Sequence, residues 1–283
     1  MKTIIERAPA KINLGLDIGG KRLDGYHELS MVMMSVDLCD YVTVDHLSED
    51  VIRLSSNCPK MPVNHKNDVY KVARLIKEQF SINSGVSIFL DKRIPVCAGL
   101  GGGSSDAAAT IRALDTLWNL GLTRQQMINI GMQVGSDVPY CLFGGCAQVT
   151  GRGEVVRQID GNLSSWVVLV KPEFGISTPT IFSDVECETI SRVPIDCLVT
   201  AIESNDYKAL LSAMGNSLED VSIAKRPLIQ KIKDKMVQSG ADAALMTGSG
   251  PTVFALCQTE KQANRVVNSL KGFCREVYKV RTL

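Results

Sequence analysis

The stretch "PVCAGLGGGSSDAAA", residues 95–109, places glycine at 99, 101, 102 and 103 and serine at 104 and 105, just before an alanine-rich run. Glycine adopts conformations closed to other residues and lets backbone N–H groups approach a ligand closely. A helix starting in the alanine run would point its unsatisfied N–H groups, with their partial positive charge, into the same space. Hydroxyls at Ser104 and Ser105 suit phosphate oxygens or a hydrated Mg²⁺ ion. The chemistry is that of an anion cradle, and a nucleotide phosphate is the natural guest. Two familiar fingerprints do not fit. A Walker loop carries Lys where this chain has Ser104, and a dinucleotide loop starting at Gly99 needs a third glycine at that same position. The spacing therefore disfavours a Rossmann-type dehydrogenase. The competing explanation is a tight loop packed on a neighbouring strand, with the serines capping the helix. One or two glycines would serve that purpose; four within five positions exceed it.

Other residues could supply matching chemistry. "LMTGSGPTVFAL", 245–256, interrupts two apolar strands with Gly-Ser-Gly-Pro, a second turn of close backbone approach, although taken alone it also reads as a plain hairpin. Lys11 shares the polar face of an otherwise apolar strand with Asn13; a charged residue inside a strand sits at an edge or serves a site. Asp137 in "GSDVPY" follows a helix in an uncharged, glycine-rich neighbourhood, where a helix cap is the ordinary role. On residue type alone, His27 reads as a turn histidine and Phe182 as a core aromatic.

These groups need a frame. "KINLGLDI", 11–18, alternates strictly, with Ile12, Leu14, Leu16 and Ile18 on one face and Lys11, Asn13, Gly15 and Asp17 on the other. Further strands are expected at 29–36 and 41–44, and helical spacing runs from Asp68 to Phe80 with Asn67 or Asp68 as cap. "VSIFLDK" leads as a strand into the glycine stretch, and the helix after it stops at Asn119 to Gly121. Thr123 and Gln126 form a capping box for a helix ending near Gly135. Strands at 146–150, 154–159 and 166–170 precede a change of texture. Beyond it come helices at 195–203, 206–214, 227–239 and 260–271, with strands at 242–246, 252–257 and 275–281. Pro227 suits a first helical position. A chain of 283 residues favours two domains, placed at 1–160 and 161–283.

Composition excludes some partners. With 31 basic and 30 acidic residues, a net charge of +1 offers nucleic acid or membrane no global attraction. Nine cysteines, nowhere spaced as Cys-x-x-Cys, suggest neither zinc nor disulfides and read as buried apolar groups in a reducing cytosol. Charges at Glu6, Arg7 and Lys11 break any signal-peptide core, so a soluble cytoplasmic protein is expected.

Three glycine-bearing segments in order, "PAKINLGL", "PVCAGLGGGSSDAA" and "LMTGSGPTVFAL", resemble the three motifs of the GHMP kinases, the superfamily of galactokinase and of homoserine, mevalonate and phosphomevalonate kinases. "DGYHEL", "GSDVP" and "TGRGE" look further like the branch whose acceptor is a cytidine diphosphate derivative of methyl-erythritol, in non-mevalonate isoprenoid synthesis. The resemblance implies a two-domain α+β fold, the first half like ribosomal protein S5 domain 2 and the second ferredoxin-like. It implies ATP with Mg²⁺, bound along Pro95, Val96, Cys97, Ala98, Gly99, Leu100, Gly101, Gly102, Gly103, Ser104 and Ser105. Lys11 and Asp137 match the catalytic pair: Asp137 takes the acceptor's hydroxyl proton, and Lys11 keeps that carboxylate ionised. Asn13 would contact the acceptor, Tyr26 and Phe182 would sandwich cytosine, and His27 would read its polar edge. Ser105 and Asp137 are the candidate Mg²⁺ ligands. The resemblance leaves a monomer and a homodimer equally open. Another small-molecule acceptor (homoserine, a mevalonate intermediate or a sugar) would use the same nucleotide motifs. A non-catalytic ligand-sensing relative would be expected to lose the Lys/Asp pair, and this chain keeps both residues.

Overall fold

Alternation and capping already dictate most elements, and the computed structural model describes residues 3–23, 25, 27–161, 163–186 and 190–283. In chain order these are β1 (Thr3–Lys21), β2 (His27–Leu47), β3 (Ile52–Ser56), α1 (Asp68–Phe80), β4 (Gly85–Asp91), α2 (Gly102–Trp118), α3 (Arg124–Met132) and α4 (Val138–Phe143). Then follow β5 (Cys146–Gly151), β6 (Val155–Gln158), β7 (Trp166–Lys171), α5 (Thr178–Phe182), α6 (Ile195–Glu203) and α7 (Tyr207–Ala213). The chain closes with β8 (Gly215–Asn216), α8 (Glu219–Lys225), α9 (Leu228–Gln238), β9 (Ala243–Met246), β10 (Val253–Cys257), α10 (Glu260–Leu270) and β11 (Glu276–Arg281).

The chain forms two units. The first comprises Met1–Ala10, Leu38–Val96 and Gly101–Gly144. Its strands run in the order β3-β4-β2, with β3 parallel and β2 antiparallel to β4. Asn67 caps α1 by accepting the Val69 N–H at 2.9 Å, and Val69, Val72, Ala73 and Ile76 make its buried stripe. Thr123 and Gln126 close the expected capping box, but α3 ends at Met132 rather than near Gly135.

The second unit holds Lys11–Asp37, Cys97–Leu100 and Gly145–Leu283. Its four-stranded antiparallel sheet has the order β11-β7-β10-β9. With α9 between β7 and β9 and α10 between β10 and β11, this is the ferredoxin-like βαββαβ arrangement expected for this half. Fully buried Val167–Val170 and Val253–Cys257 form its core, and a buried Leu or Val contributes roughly 1.5–3 kcal/mol. Elsewhere in this unit β5 pairs antiparallel with β2, and β8 adds two residues parallel to β1.

Three local expectations need correction. The strands expected at 29–36 and 41–44 are one, because the polar residues between them are satisfied while extended: Asp37 Oδ1 accepts the Arg281 N–H and Asp40 Oδ1 the Ile94 N–H. Pro227 stands one position ahead of its helix, at the cap. Gly102 and Gly103, expected in a loop, form the first turn of α2, with Gly101 as cap at φ +67°. No helix among the described residues is long and apolar enough to cross a membrane.

Candidate active site

In the second unit the site begins with β1, which is buried on both faces from Ala10 to Ile18. The polar face is therefore internal, and Lys11 does not face solvent: the residue is 4% exposed. Its ammonium donates to Asn13 Oδ1 at 2.7 Å, two residues along the same face. Asn13 in turn donates its backbone N–H to Thr247 Oγ1 at 3.0 Å, and its side-chain amide points to Met31 Sδ. Asn13 is fully buried, so its visible task is to orient Lys11; contact with an acceptor would require a shift of its amide.

The two glycine turns meet backbone to backbone beside this strand. A Cβ on Gly99, at φ +74°, would fall 2.6 Å from Thr247 O and 2.9 Å from Gly250 O. One on Gly248, at φ +59°, would lie 3.3 Å from Gly99 O, 3.5 Å from Lys11 Nζ and 3.7 Å from Asn13 Oδ1. The Lys11 N–H also donates to Leu100 O at 3.0 Å. Within this unit, Lys11 and Asn13, Gly99 and Leu100, and Thr247 to Gly250 are thus brought together, with Gly99 and Gly248 at left-handed φ where their backbones meet.

Nearby in this unit, the His27 and Phe182 rings stand 5.6 Å apart, tilted by 36°. Thr178, the first residue of α5, shares a 2.8 Å hydrogen bond with Ser249 of the second glycine turn, which anchors the short helix that ends in Phe182. Tyr26, the other expected aromatic wall, lies outside the described residues.

The first unit carries the remaining groups. The first turn of α2 has no side-chain cap, so its leading N–H groups keep their capacity for an anion. Ser104 Oγ lies 3.8 Å from the position of a Cβ on Gly135, which puts the start of α2 beside the turn carrying Asp137. Asp137 occupies the cap position of α4, yet its side chain makes no capping hydrogen bond. The ordinary role suggested by sequence is not the one it plays. Ser105 is buried and donates its hydroxyl to Pro9 O at 2.8 Å, which leaves its lone pairs as acceptors. Pro95 and Val96 belong to this unit, whereas Cys97, exposed at φ +55°, and Ala98 belong to the other.

A group that sequence reasoning missed supports α2. Lys92 is buried between Asp40 and Asp106, with Nζ bonded to Asp40 Oδ2 and, at 2.6 Å, to Asp106 Oδ2. Burial acts to lower the Lys92 pKa, but the two carboxylates outweigh it and the value stands above the ordinary one. Burial pushes the Asp106 carboxyl up to about 8 against the pull of Lys92, with Asp40 adding repulsion. One ammonium cannot neutralise two carboxylates, and Asp106 Oδ1 has no partner. Among the described residues no three His, Cys, Asp or Glu side chains gather as a metal site.

Comparison with known proteins agrees with this arrangement. The family description "GHMP kinases N terminal domain" matches residues 67–145, and "GHMP kinases C terminal" matches residues 198–276. A Streptococcus equi subsp. zooepidemicus protein, provisionally named 4-diphosphocytidyl-2-C-methyl-D-erythritol kinase, is 78% identical over 100% of both chains. A Streptococcus uberis protein of the same provisional name is 69% identical, again over 100% of both. The crystal structure of a 4-(cytidine 5'-diphospho)-2C-methyl-D-erythritol kinase superposes with a TM-score of 0.84 at 29% identity, over 99% of each chain. Family segments, full-length relatives and fold point the same way, and the chain belongs to the GHMP kinases.

Proposed function

We propose that this chain is an ATP-dependent kinase that transfers a phosphoryl group to the 2-hydroxyl of 4-diphosphocytidyl-2-C-methyl-D-erythritol. The observation that carries the reading is the buried Lys11–Asn13 pair, packed beside the left-handed Gly99 and Gly248 where two turns meet. The names of the full-length relatives supply the acceptor.

Phosphoryl transfer asks mainly for positioning and charge stabilisation. The uncapped N–H groups at Gly102 and Gly103 receive the donor's phosphates, with the hydroxyl of Ser104 beside them. Asp137, not engaged in capping, accepts the acceptor's hydroxyl proton. Lys11, oriented by Asn13, offsets the negative charge of the transferring group. Phe182 and His27 hold the cytosine, one by stacking and the other at the base's polar edge.

Mg²⁺ takes most of its ligands from phosphates and water and asks only one or two oxygen ligands of a protein. The Asp137 carboxylate and the Ser105 hydroxyl oxygen would hold it. When bound, it would neutralise charge on the donor's phosphates.

The test is ADP release with ATP and, in separate reactions, the cytidyl substrate, mevalonate, phosphomevalonate and homoserine. Turnover is expected with the cytidyl compound alone. Turnover with another acceptor and none with this one would overturn the assignment while leaving a GHMP kinase.

A further inference from the structure

"GNSLED", 215–220, carries no motif that sequence reasoning could use, yet it grips the second glycine turn. The carboxamide of Asn216 is buried, and its Nδ2 donates to Met246 O and Gly248 O, both at 2.8 Å. Its Oδ1 accepts the Leu218 N–H at 2.9 Å. Both amide hydrogens are used, and a reversed amide would set oxygen against two carbonyls. Glu219 Oε1 accepts the Met246 N–H at 2.8 Å, while its Oε2 takes Lys233 Nζ at 2.5 Å. Ser222, fully buried, donates to Ser249 O at 3.3 Å. Side chains of Asn216, Glu219 and Ser222 therefore hold the peptide groups of Met246, Gly248 and Ser249. The same segment pairs with β1, Gly215 opposite Gly15 and Asn216 opposite Leu16.

The turn thus held is the one whose Thr247 hydroxyl accepts the Asn13 N–H and whose Gly248 packs against Lys11. We infer that Asn216 and Glu219 are positioning residues for the phosphoryl transfer, acting through Met246–Ser249 on Lys11, Asn13 and Gly99. This rests on the proposed roles of Lys11 and Asn13.

The experiment uses the full chain with Asn216→Ala, Glu219→Ala, Glu219→Gln and Lys11→Met. ADP release is measured with ATP and the cytidyl acceptor, alongside thermal melting and hydrogen exchange over residues 245–256. Folded Asn216→Ala is expected to lose about tenfold or more in kcat, the scale of a sub-ångström misplacement, with both KM values within about threefold. Its 245–256 segment should exchange about tenfold faster, with the rest of the chain unchanged. Glu219→Ala should lower kcat likewise, and Glu219→Gln, which keeps an acceptor for the Met246 N–H, should restore most of it. Wild-type kcat in folded Asn216→Ala, or a loss that only follows the folded fraction, overturns the inference. If Asn216→Ala does not fold, wild-type kcat in Glu219→Ala overturns it instead. An active Lys11→Met would bring down the proposed roles and this inference together. An inactive Lys11→Met beside a normal Asn216→Ala brings down the inference alone.

Discussion

The carbonyl oxygen of Thr247 stands 2.6 Å from the point where any side chain on Gly99 would begin. Two backbones 148 residues apart in sequence are in direct contact there. Gly99→Ala is therefore expected to destabilise the chain by about 2 kcal/mol or more, from the left-handed φ and the collision together. Urea unfolding measures this; a stability loss below about 0.5 kcal/mol would show that the turns can part freely.

Gly103 is the contrasting position. It is exposed, and a Cβ there meets only Asp68 Oδ2 at 3.8 Å. Gly103→Val should fold as well as the wild type, since it lies inside a helix, where glycine is the poorer former by up to about 1 kcal/mol. Its bulk would stand over the N–H groups assigned to the donor's phosphates. Calorimetry should give ATP affinity lower by about tenfold or more. Unchanged ATP binding would remove α2 from the nucleotide site.

Asp137→Asn should leave the capping of α4 unchanged, because the carboxylate makes no capping hydrogen bond there. Turnover should fall by about 100-fold or more, the scale for losing a positioned base. Near-normal turnover in the folded variant would assign the proton transfer elsewhere.

Phe182→Ala tests the acceptor. Stacking on an aromatic is worth about 1–3 kcal/mol per base, so the cytidyl compound should bind about ten- to hundredfold more weakly while ATP binding holds. His27→Ala should relax discrimination between cytosine and uracil. Equal losses for both ligands would point to a general disturbance of α5.

Asp106 makes stability depend on pH. Its folded pKa of about 8 stands above an unfolded value near 3.9, so through that interval only the folded chain keeps the proton. The stability this contributes is complete below about pH 4 and is lost as pH rises towards 8, at up to about 1.4 kcal/mol per unit. Lys92, whose pKa is raised, stays charged throughout the interval. Unfolding free energies from pH 5 to 8 should decline in the wild type and flatten in Asp106→Asn. Identical slopes in the two proteins would clear Asp106 of the effect.

What the sequence made legible was local. The stripe of α1, the Thr123 box and the alternation of 11–18 describe single elements, and all three stand in the structure. Contacts between distant segments left no such mark. Asp40 lies 52 residues before Lys92, and nothing in either neighbourhood announces the pair. Asn216 and Glu219 look like ordinary turn and helix-start residues until Met246 is placed beside them. Burial of Lys11 was equally hidden, because alternation separates two faces without telling whether both are covered. The roles of Lys11, Asp137, His27 and Phe182 came from family likeness, which draws on whole-chain patterns that no local rule contains.

A strand covered on both sides has a consequence for how the chain finds its fold. Sliding β1 by one residue would drive Lys11, Asn13 and Asp17 into the apolar layer and bring Ile12, Leu14 and Leu16 against the polar groups. Each polar group stranded in this way costs on the order of several kcal/mol. The residues assigned to chemistry therefore also act as an alignment code, rejecting misthreaded strands before any substrate is met. A single deletion between Thr3 and Ile18 should produce a chain that fails to fold, rather than a folded protein with an impaired site.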